Sequence, residues 1–520
     1  MKLVTAAEMR ELEAAAIAAG TSERQMMEEA GLAVAQEAWM LLGSLEGRRI
    51  LALVGPGNNG GDALVAARHL ADWGAEVAVY IPRKRRDESL LDELRERDIA
   101  IGAGEDDPGF AALDGWLGAA DLVIDGLLGT GQKRPLEPGE AIAGALSRLA
   151  EARRGYTPPK LIAVDIPTGM DADSGAVDDL TVTPDLTVTF GLPKVGMYQA
   201  PGSGVVGRVQ VIDIGIPKEA LEAVGLELLT SRWVRQALPA RPEDSNKGTF
   251  GRLLVVGGCS RYAGAPAMVA TAAYRAGAGL VTIACPEPVA KTLAAAVMEA
   301  TWLPMPVAED GGLAGESALA LRPEWKQFSA AVIGPGMGNT EETRALTWAI
   351  LEDVRLDLER GAVIDADALN ALATMDDAAD RLPSNMVMTP HPGEMARLLK
   401  TTVADVQGRR LEVAKEAAKR FGCTVVLKGA HSVVAGADGR ARLSPFANPL
   451  LATAGTGDIL AGMIGGYLAQ GMEPFEAASL GVYLHGACGE SLREEYGGSG
   501  LLAGELAARL PRVVKELTTN

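Results

Sequence analysis

The chain has 520 residues, 48% of them apolar and only 4% aromatic, with 62 glycines and a formal charge of −19. That length exceeds one ordinary hydrophobic core, so two or more domains are expected. The acidic balance, 68 Asp and Glu against 49 Lys and Arg, and the lack of any basic stripe exclude a generic nucleic-acid binder.

Residues 1 to about 45 read as helices, because MRELEAAAIAAG and MMEEAGLAVAQEAWMLLG carry apolar residues at helical spacing. The opening residues do not have the pattern of a secretory signal, and no apolar run of about eighteen residues occurs. We therefore expect a cytoplasmic protein with no membrane partner. The four cysteines, Cys259, Cys285, Cys423 and Cys488, form no CxxC pair. They read as buried free thiols in a reducing compartment.

Strands and helices then alternate. The strand candidates of the first half are RILALVG (49–55), EVAVYI (76–81), DLVIDGLLG (121–129), LIAVDIP (161–167), DLTVTFG (185–191) and GRVQVIDIG (207–215). They lack strict alternation, as expected of a parallel sheet covered on both faces. The basic run Arg83–Arg86 is followed by acids and reads as a solvated loop. The pattern resets in a polar, proline-containing stretch over 216–250. We place the boundary near residue 220, giving domains 1–220 and 221–520. Strand candidates resume with RLLVVGG (252–258), VTIACP (281–286), AAVIGPG (330–336), GAVIDAD (361–367), NMVMTP (385–390) and TVVLKG (424–429). Two alanine-rich helical stretches are expected after Gly455. Both halves read as α/β layers.

Several strand ends carry chemistry. Gly55, Gly57 and Gly60 spell GxGxxG between a strand and a helix, the setting of a dinucleotide fingerprint. The acid that would bind a ribose is missing, because Tyr80 to Lys84 occupy its place; Arg83 would suit a 2′-phosphate instead. Asn58, Asn59 and Asp62 add polar groups at the same turn, a mixture suited to a polar ligand and a hard cation. Asp125 and Asp165 close two further strands, and each alone reads equally well as a helix cap. Gly129, Thr130 and Gly131, with Lys133 and Arg134, suit a phosphate. His391 sits between two prolines after a strand, while His69 and His485 lie in helical runs and read as packing or surface. TAGTGDILAGMIGGYLAQG (453–471) places Gly455, Gly457 and Asp458 at a helix start, where free amides stabilise a transferring phosphoryl group and a carboxylate readies its acceptor. An ordinary N-capping aspartate is the plain alternative. No GxxxxGK[ST] motif occurs, which excludes a P-loop.

The set NNGGD, DGLLGTGQKRPL, AVDIPTGMDADSG and FGLPKVG resembles the YjeF N-terminal family, the NAD(P)H-hydrate epimerases, over nearly all of the first half. Ala63 and Gly126 depart from its usual residues without removing a polar group. The resemblance implies that Asn58, Asn59, Gly60, Gly61 and Asp62, with Gly129, Thr130, Gly131, Gln132, Lys133, Arg134 and Pro135, hold a hydrated nicotinamide dinucleotide. It implies that Asn59, Asp125 and Thr168 ligate potassium and that Asp165 contacts the substrate; we take Asp165 as the acid/base group. From about residue 225, SNKGTFG, YAGAP, GPGMG, PHPGE, LKGAHS and LATAGTGDILAG are similar to the YjeF C-terminal family, the ADP-dependent NAD(P)H-hydrate dehydratases. Ala263 stands where threonine is common. By that match Ala265, Gly338, His391 and Asp458 contact the hydrate, with Asp458 as base. Lys428, Gly429, Ala430, His431, Ser432 and Gly457 contact the adenine nucleotide.

Together the resemblances imply a Rossmann-like three-layer sandwich followed by a ribokinase-like one. The implied activity is repair of hydrated NAD(P)H, with R and S forms interconverted by the first domain. The second would dehydrate the S form with ADP and magnesium, releasing AMP and phosphate. A homotetramer is implied as well. Three other readings compete: an NADP-dependent oxidoreductase built on GPGNNG, a small-molecule kinase built on GTGD, and a regulatory nucleotide-binding module.

Overall fold

The computed structural model describes residues 1–132 and 134–519; Lys133 lies outside the described residues. The chain divides into two compact units, Lys2–Val224 and Gly225–Asn520, the latter joined by Met1.

Among the described residues the first unit carries one seven-stranded parallel sheet. Its strands are β1 (Arg49–Val54), β2 (Glu76–Ile81), β3 (Ala100–Ala103), β4 (Leu122–Gly126), β5 (Lys160–Val164), β6 (Leu186–Phe190) and β7 (Arg208–Ile212). The order is β3-β2-β1-β4-β5-β6-β7. The chain winds outward from β1, then returns to its other side at β4, so strand order reverses there. Loops leaving β1 and β4 therefore open a crevice at their carboxyl ends, where ligands of such sheets bind. Alternate residues of one strand serve opposite cores. Ile50, Ala52 and Val54 pack with helix Asn58–Asp72, while Leu51 and Leu53 pack with helices Ala111–Ala119 and Ala141–Arg153. Apolar residues on both faces explain the absence of alternation in the sequence. The edge strand β3, sequence AIGA, was not anticipated: four small residues carry no strand signal.

The second unit carries a ten-stranded sheet, again among the described residues. Its strands are β8 (Leu226–Leu228), β9 (Arg252–Val256), β10 (Leu280–Pro286), β11 (Thr301–Met305), β12 (Ala330–Ile333), β13 (Ala362–Ile364), β14 (Val387–Met388), β15 (Thr424–Leu427), β16 (Val433–Ala435) and β17 (Ala441–Leu443). The order is β11-β10-β9-β12-β13-β14-β15-β16-β17-β8. Strands β15, β16 and β17 pair antiparallel; the other pairings are parallel. One face is covered by helices Gly264–Ala276, Thr456–Ala469, Pro474–Tyr496 and Ala503–Thr519. On the other, helix Arg410–Phe421 packs on β15 and β16.

Three helices, not two, follow Gly455, the last running over Ala503–Thr519. Gly471 and Pro474 break the first from the second. The sequence reading also missed β8, β11, β16 and β17, whose pairing partners rather than their own residues make them strands. The alanine-rich helix Gly264–Ala276 packs closely on a second helix. A Cβ on Gly462 would overlap the Val269 carbonyl, so helix Thr456–Ala469 lies almost backbone to backbone on helix Gly264–Ala276. No helix among the described residues is long and apolar enough to cross a membrane.

Candidate active sites

In the first unit the glycine turn is set by close approach. A Cβ on Gly55 would overlap the Leu127 carbonyl, and one on Gly60 would overlap the Gly55 carbonyl. These glycines let the loops leaving β1 and β4 touch. Arg85 holds the turn from the other side, its guanidinium donating to the Gly55 and Gly57 carbonyls, the latter at 3.0 Å. This corrects the solvated-loop reading of Arg83–Arg86: its neighbours are exposed, but Arg85 is buried. Helix Asn58–Asp72 starts at Gly57 with no side-chain cap on its first amides.

Asn59 is buried with its Nδ2 unpartnered, and its side chain lies against Gly129. Asp125 is buried and accepts from Thr168 N (3.0 Å), Thr168 Oγ1 (2.7 Å) and Leu127 N (3.2 Å). Burial raises its pKa against the pull of these bonds. Thr168 Oγ1 also accepts from Leu128 N at 3.1 Å. Asn59, Asp125 and Thr168 are thus brought together through the loop that contains Gly129. Gln132 accepts from Gly169 N at 3.1 Å, and Asp178 from Leu136 N at 2.8 Å, pinning that loop to the one after β5. Beside it lies a cavity of 780 Å³ lined by Gln132, Arg134, Pro135, Gly169 and Asp178 among others. Arg134 is exposed and paired with Glu140. Gly131 and Pro135 are exposed and Thr130 half-buried.

Asp165 follows β5 in a left-handed backbone conformation, φ 64°, which a non-glycine residue holds only at a cost. Its Oδ1 receives Thr189 Oγ1 at 3.0 Å, Phe190 N at 3.4 Å and the Lys194 ammonium. Lys194 is fully buried and also donates to Thr189 Oγ1 and the Phe190 carbonyl. Among the described residues all three bonds fall on Oδ1. Sequence reasoning missed Lys194 although FGLPKVG was in view, because nothing local ties it to a residue 29 positions away.

In the second unit Asp458 lies in the first turn of helix Thr456–Ala469, whose capping position is Gly455 in the left-handed conformation, with no side-chain cap. Its carboxyl is pushed up to about 7 by burial and by the Asp365 carboxylate, with Lys428 opposing. Lys428 donates to Asp365 Oδ1 at 2.7 Å, stands 3.9 Å from Glu394 and lies against Gly457. Burial works against its charge, but Asp365, Glu394 and Asp458 more than offset it, so its pKa rises. Glu394 is pushed up to about 7, mainly by burial. It accepts from His391 N at 2.7 Å, which fixes the turn carrying His391. Gly338 N donates to Asp367 at 2.9 Å, and the loop before it packs on Ala265. Asp365, Asp367 and Glu394 escaped the sequence reading, though GAVIDAD and PHPGE were in view.

Two further features surround this cluster. Ala366, between Asp365 and Asp367, has φ 50°, a strained conformation of the kind that gathers at functional sites. His485 donates from Nε2 to the Thr456 carbonyl at 2.9 Å, and desolvation pushes its pKa down to about 4. It is therefore a neutral anchor for the helix start rather than packing or surface. Ser432 closes the turn with Gly429, its Oγ donating to the Gly429 carbonyl at 2.9 Å. His431 is buried, its ring against the Ser444 carbonyl and its backbone N–H donating to the Phe446 carbonyl at 2.9 Å.

Residues 23–196 match the model of the YjeF-related protein N-terminus, and residues 253–512 match that of NAD(P)H-hydrate dehydratase. The bifunctional NAD(P)H-hydrate repair enzyme of Moorella thermoacetica is 39% identical to 99% of this chain, which spans 97% of that protein. The chain belongs to the bifunctional NAD(P)H-hydrate repair enzymes. The member from Thermofilum pendens is 36% identical over 99% of this chain and 97% of its own length. Among solved structures, a ribokinase-like superfamily protein from Enterococcus faecalis aligns with a TM-score of 0.50 and 27% identity, over 57% of this chain and 98% of its own.

Proposed function

We propose that each unit performs one step of NAD(P)H-hydrate repair. The first interconverts the R and S hydrates; the second returns the S hydrate to the dihydronicotinamide at the expense of ADP. The observation that carries the reading is the uncapped start of helix Thr456–Ala469 with Asp458, ionisable near neutrality, in its first turn. The free amides offer a place for the phosphoryl group in flight. Asp458 takes the proton from the C6 hydroxyl as its oxygen attacks the β-phosphorus of ADP. AMP leaves. The new C6–O–phosphate bond then breaks with loss of the C5 proton, releasing phosphate and restoring the ring double bond. His391, Gly338 and Ala265 flank the hydrate; Gly457 and the turn Lys428–Ser432 flank the nucleotide.

Magnesium fits this unit as a partner of the nucleotide's phosphates. Three carboxylates around one lysine leave negative charge to attract it, yet no three metal-ligating side chains among the described residues are arranged to hold a metal alone. In the first unit Asn59, Asp125 and Thr168 fit potassium: hard oxygens with one formal charge, and a buried carboxylate hydrogen-bonded to no cationic side chain among the described residues. The ion would offset that charge. Asp165 handles the proton that moves during epimerisation. The expected assembly is a homotetramer, to be read by light scattering.

The deciding assay mixes the protein with NADPH hydrate and ADP and follows the return of dihydronicotinamide absorbance alongside AMP. Hydride transfer from intact NADPH would instead support the oxidoreductase. A stable phosphorylated product would support a small-molecule kinase, and binding without turnover a regulatory module.

A further inference from the structure

The turn Lys428–Ser432 is held from outside by Arg410. It connects β15, which ends at Leu427, to β16, which begins at Val433, and those two residues pair across it. Gly429 has φ 142° and His431 φ 49°, the second at a cost for a residue with a side chain. A turn of that kind persists where its surroundings over-determine it.

Arg410 opens helix Arg410–Phe421, which packs on β15 and β16. The residue is only 8% exposed. Its Nη2 donates to the Leu427 and Lys428 carbonyls, both at 3.2 Å, and its Nη1 to Gln407 Oε1 at 2.7 Å. A Cβ on Gly429 would stand 3.0 Å from both of these nitrogens, so the guanidinium lies against the turn itself. Among the described residues these three partners are neutral oxygens, and no carboxylate pairs with Arg410. Burying an unpaired charge is costly, and an apolar side chain would pack on β15 and β16 at less expense to the fold. What the guanidinium supplies is the placement of two main-chain carbonyls.

That placement reaches the cluster around Asp458. Lys428 N donates to the Pro390 carbonyl at 2.9 Å, while the Lys428 carbonyl accepts from Arg410, so its main chain is fixed on both sides. Its ammonium meets Asp365 at 2.7 Å and lies against Gly457.

We infer that Arg410 is a positioning residue of the dehydratase site, setting the conformation of the turn that receives the adenine nucleotide. This rests on the dehydratase reading of the second unit. Arg410 acts through the turn and takes no part in proton or phosphoryl transfer. Shape matters as much as charge: one nitrogen shared between two carbonyls, with the other anchored on Gln407, is a geometry that an ammonium does not reproduce.

The test uses the full chain with S hydrate, ADP and magnesium, and measures the two Michaelis constants separately. Titration calorimetry with ADP alone gives the affinity and, through its stoichiometry, counts folded sites. Arg410→Lys should raise both KM and Kd for ADP at least about tenfold. The KM for hydrate and the kcat at saturating ADP should change less than about threefold, because Pro390 and Asp365 still hold Lys428. Gln407→Leu keeps the guanidinium but removes its anchor, and should raise the ADP KM about two- to fivefold. A merely structural Arg410 would lower the stoichiometry and kcat with both Michaelis constants kept. That result, or an unchanged ADP affinity in Arg410→Lys, would overturn the assignment. Absence of ADP-dependent dehydration by the wild-type chain would overturn the dehydratase reading itself.

Discussion

Replacing Asp458 by Asn should raise stability and abolish dehydration at once. The carboxyl sits at about 7 in the fold against an ordinary 3.8. At about 1.4 kcal/mol per pH unit, ionising it in the folded state costs about 4 kcal/mol, or about 2–4 after allowance for its partial contact with solvent. The sign follows from the direction of the change. A carboxyl whose folded pKa is raised weakens the fold at pH above that value and costs nothing below its unfolded value, where both states are protonated. Asp458→Asn should therefore be more stable than wild type by about 2–4 kcal/mol at about pH 8 and no more stable at about pH 4. Denaturant unfolding at both pH values reads this directly. In the same protein the ADP-dependent rate should fall about 10²–10⁴-fold with ADP binding retained. Equal stability changes at both pH values would show that the carboxylate is not held against desolvation. A retained rate would remove Asp458 as the base.

Gly60→Ala forces a methyl into the Gly55 carbonyl and the Arg85 guanidinium; epimerase activity should be lost with about 1–3 kcal/mol of stability, while dehydratase activity persists. Arg85→Met leaves two loop carbonyls without their donor. It should cost about 1–3 kcal/mol in chemical denaturation and slow epimerisation but not dehydration. Lys428→Met leaves Asp365, Glu394 and Asp458 without a cation. Unfolding should show about 3–5 kcal/mol of destabilisation at about pH 8, shrinking toward about pH 5 as the carboxyls take up protons.

The sequence by itself determined the elements whose cause is local. Short apolar runs bounded by glycine mark β1, β4, β9 and β12 because a strand buried on both faces needs little else. The glycine turns at Gly55–Gly60 and Gly455–Gly457 were legible for the same reason: a tight approach or a left-handed residue is demanded at one position and met by one residue type. Asp125, Asp165 and Asp458 stood out because each ends a strand or opens a helix. Tertiary structure alone decided what those carboxylates face. Lys428 meets Asp365 across 63 residues and Lys194 meets Asp165 across 29, pairings set by which strands lie side by side. Arg85 looked like one member of an exposed basic run, yet the order β2-β1-β4 folds it over the glycine turn. Protonation state, like partner choice, depends on burial and on charges brought near by the sheet, and neither is written in the spacing of residues along the chain.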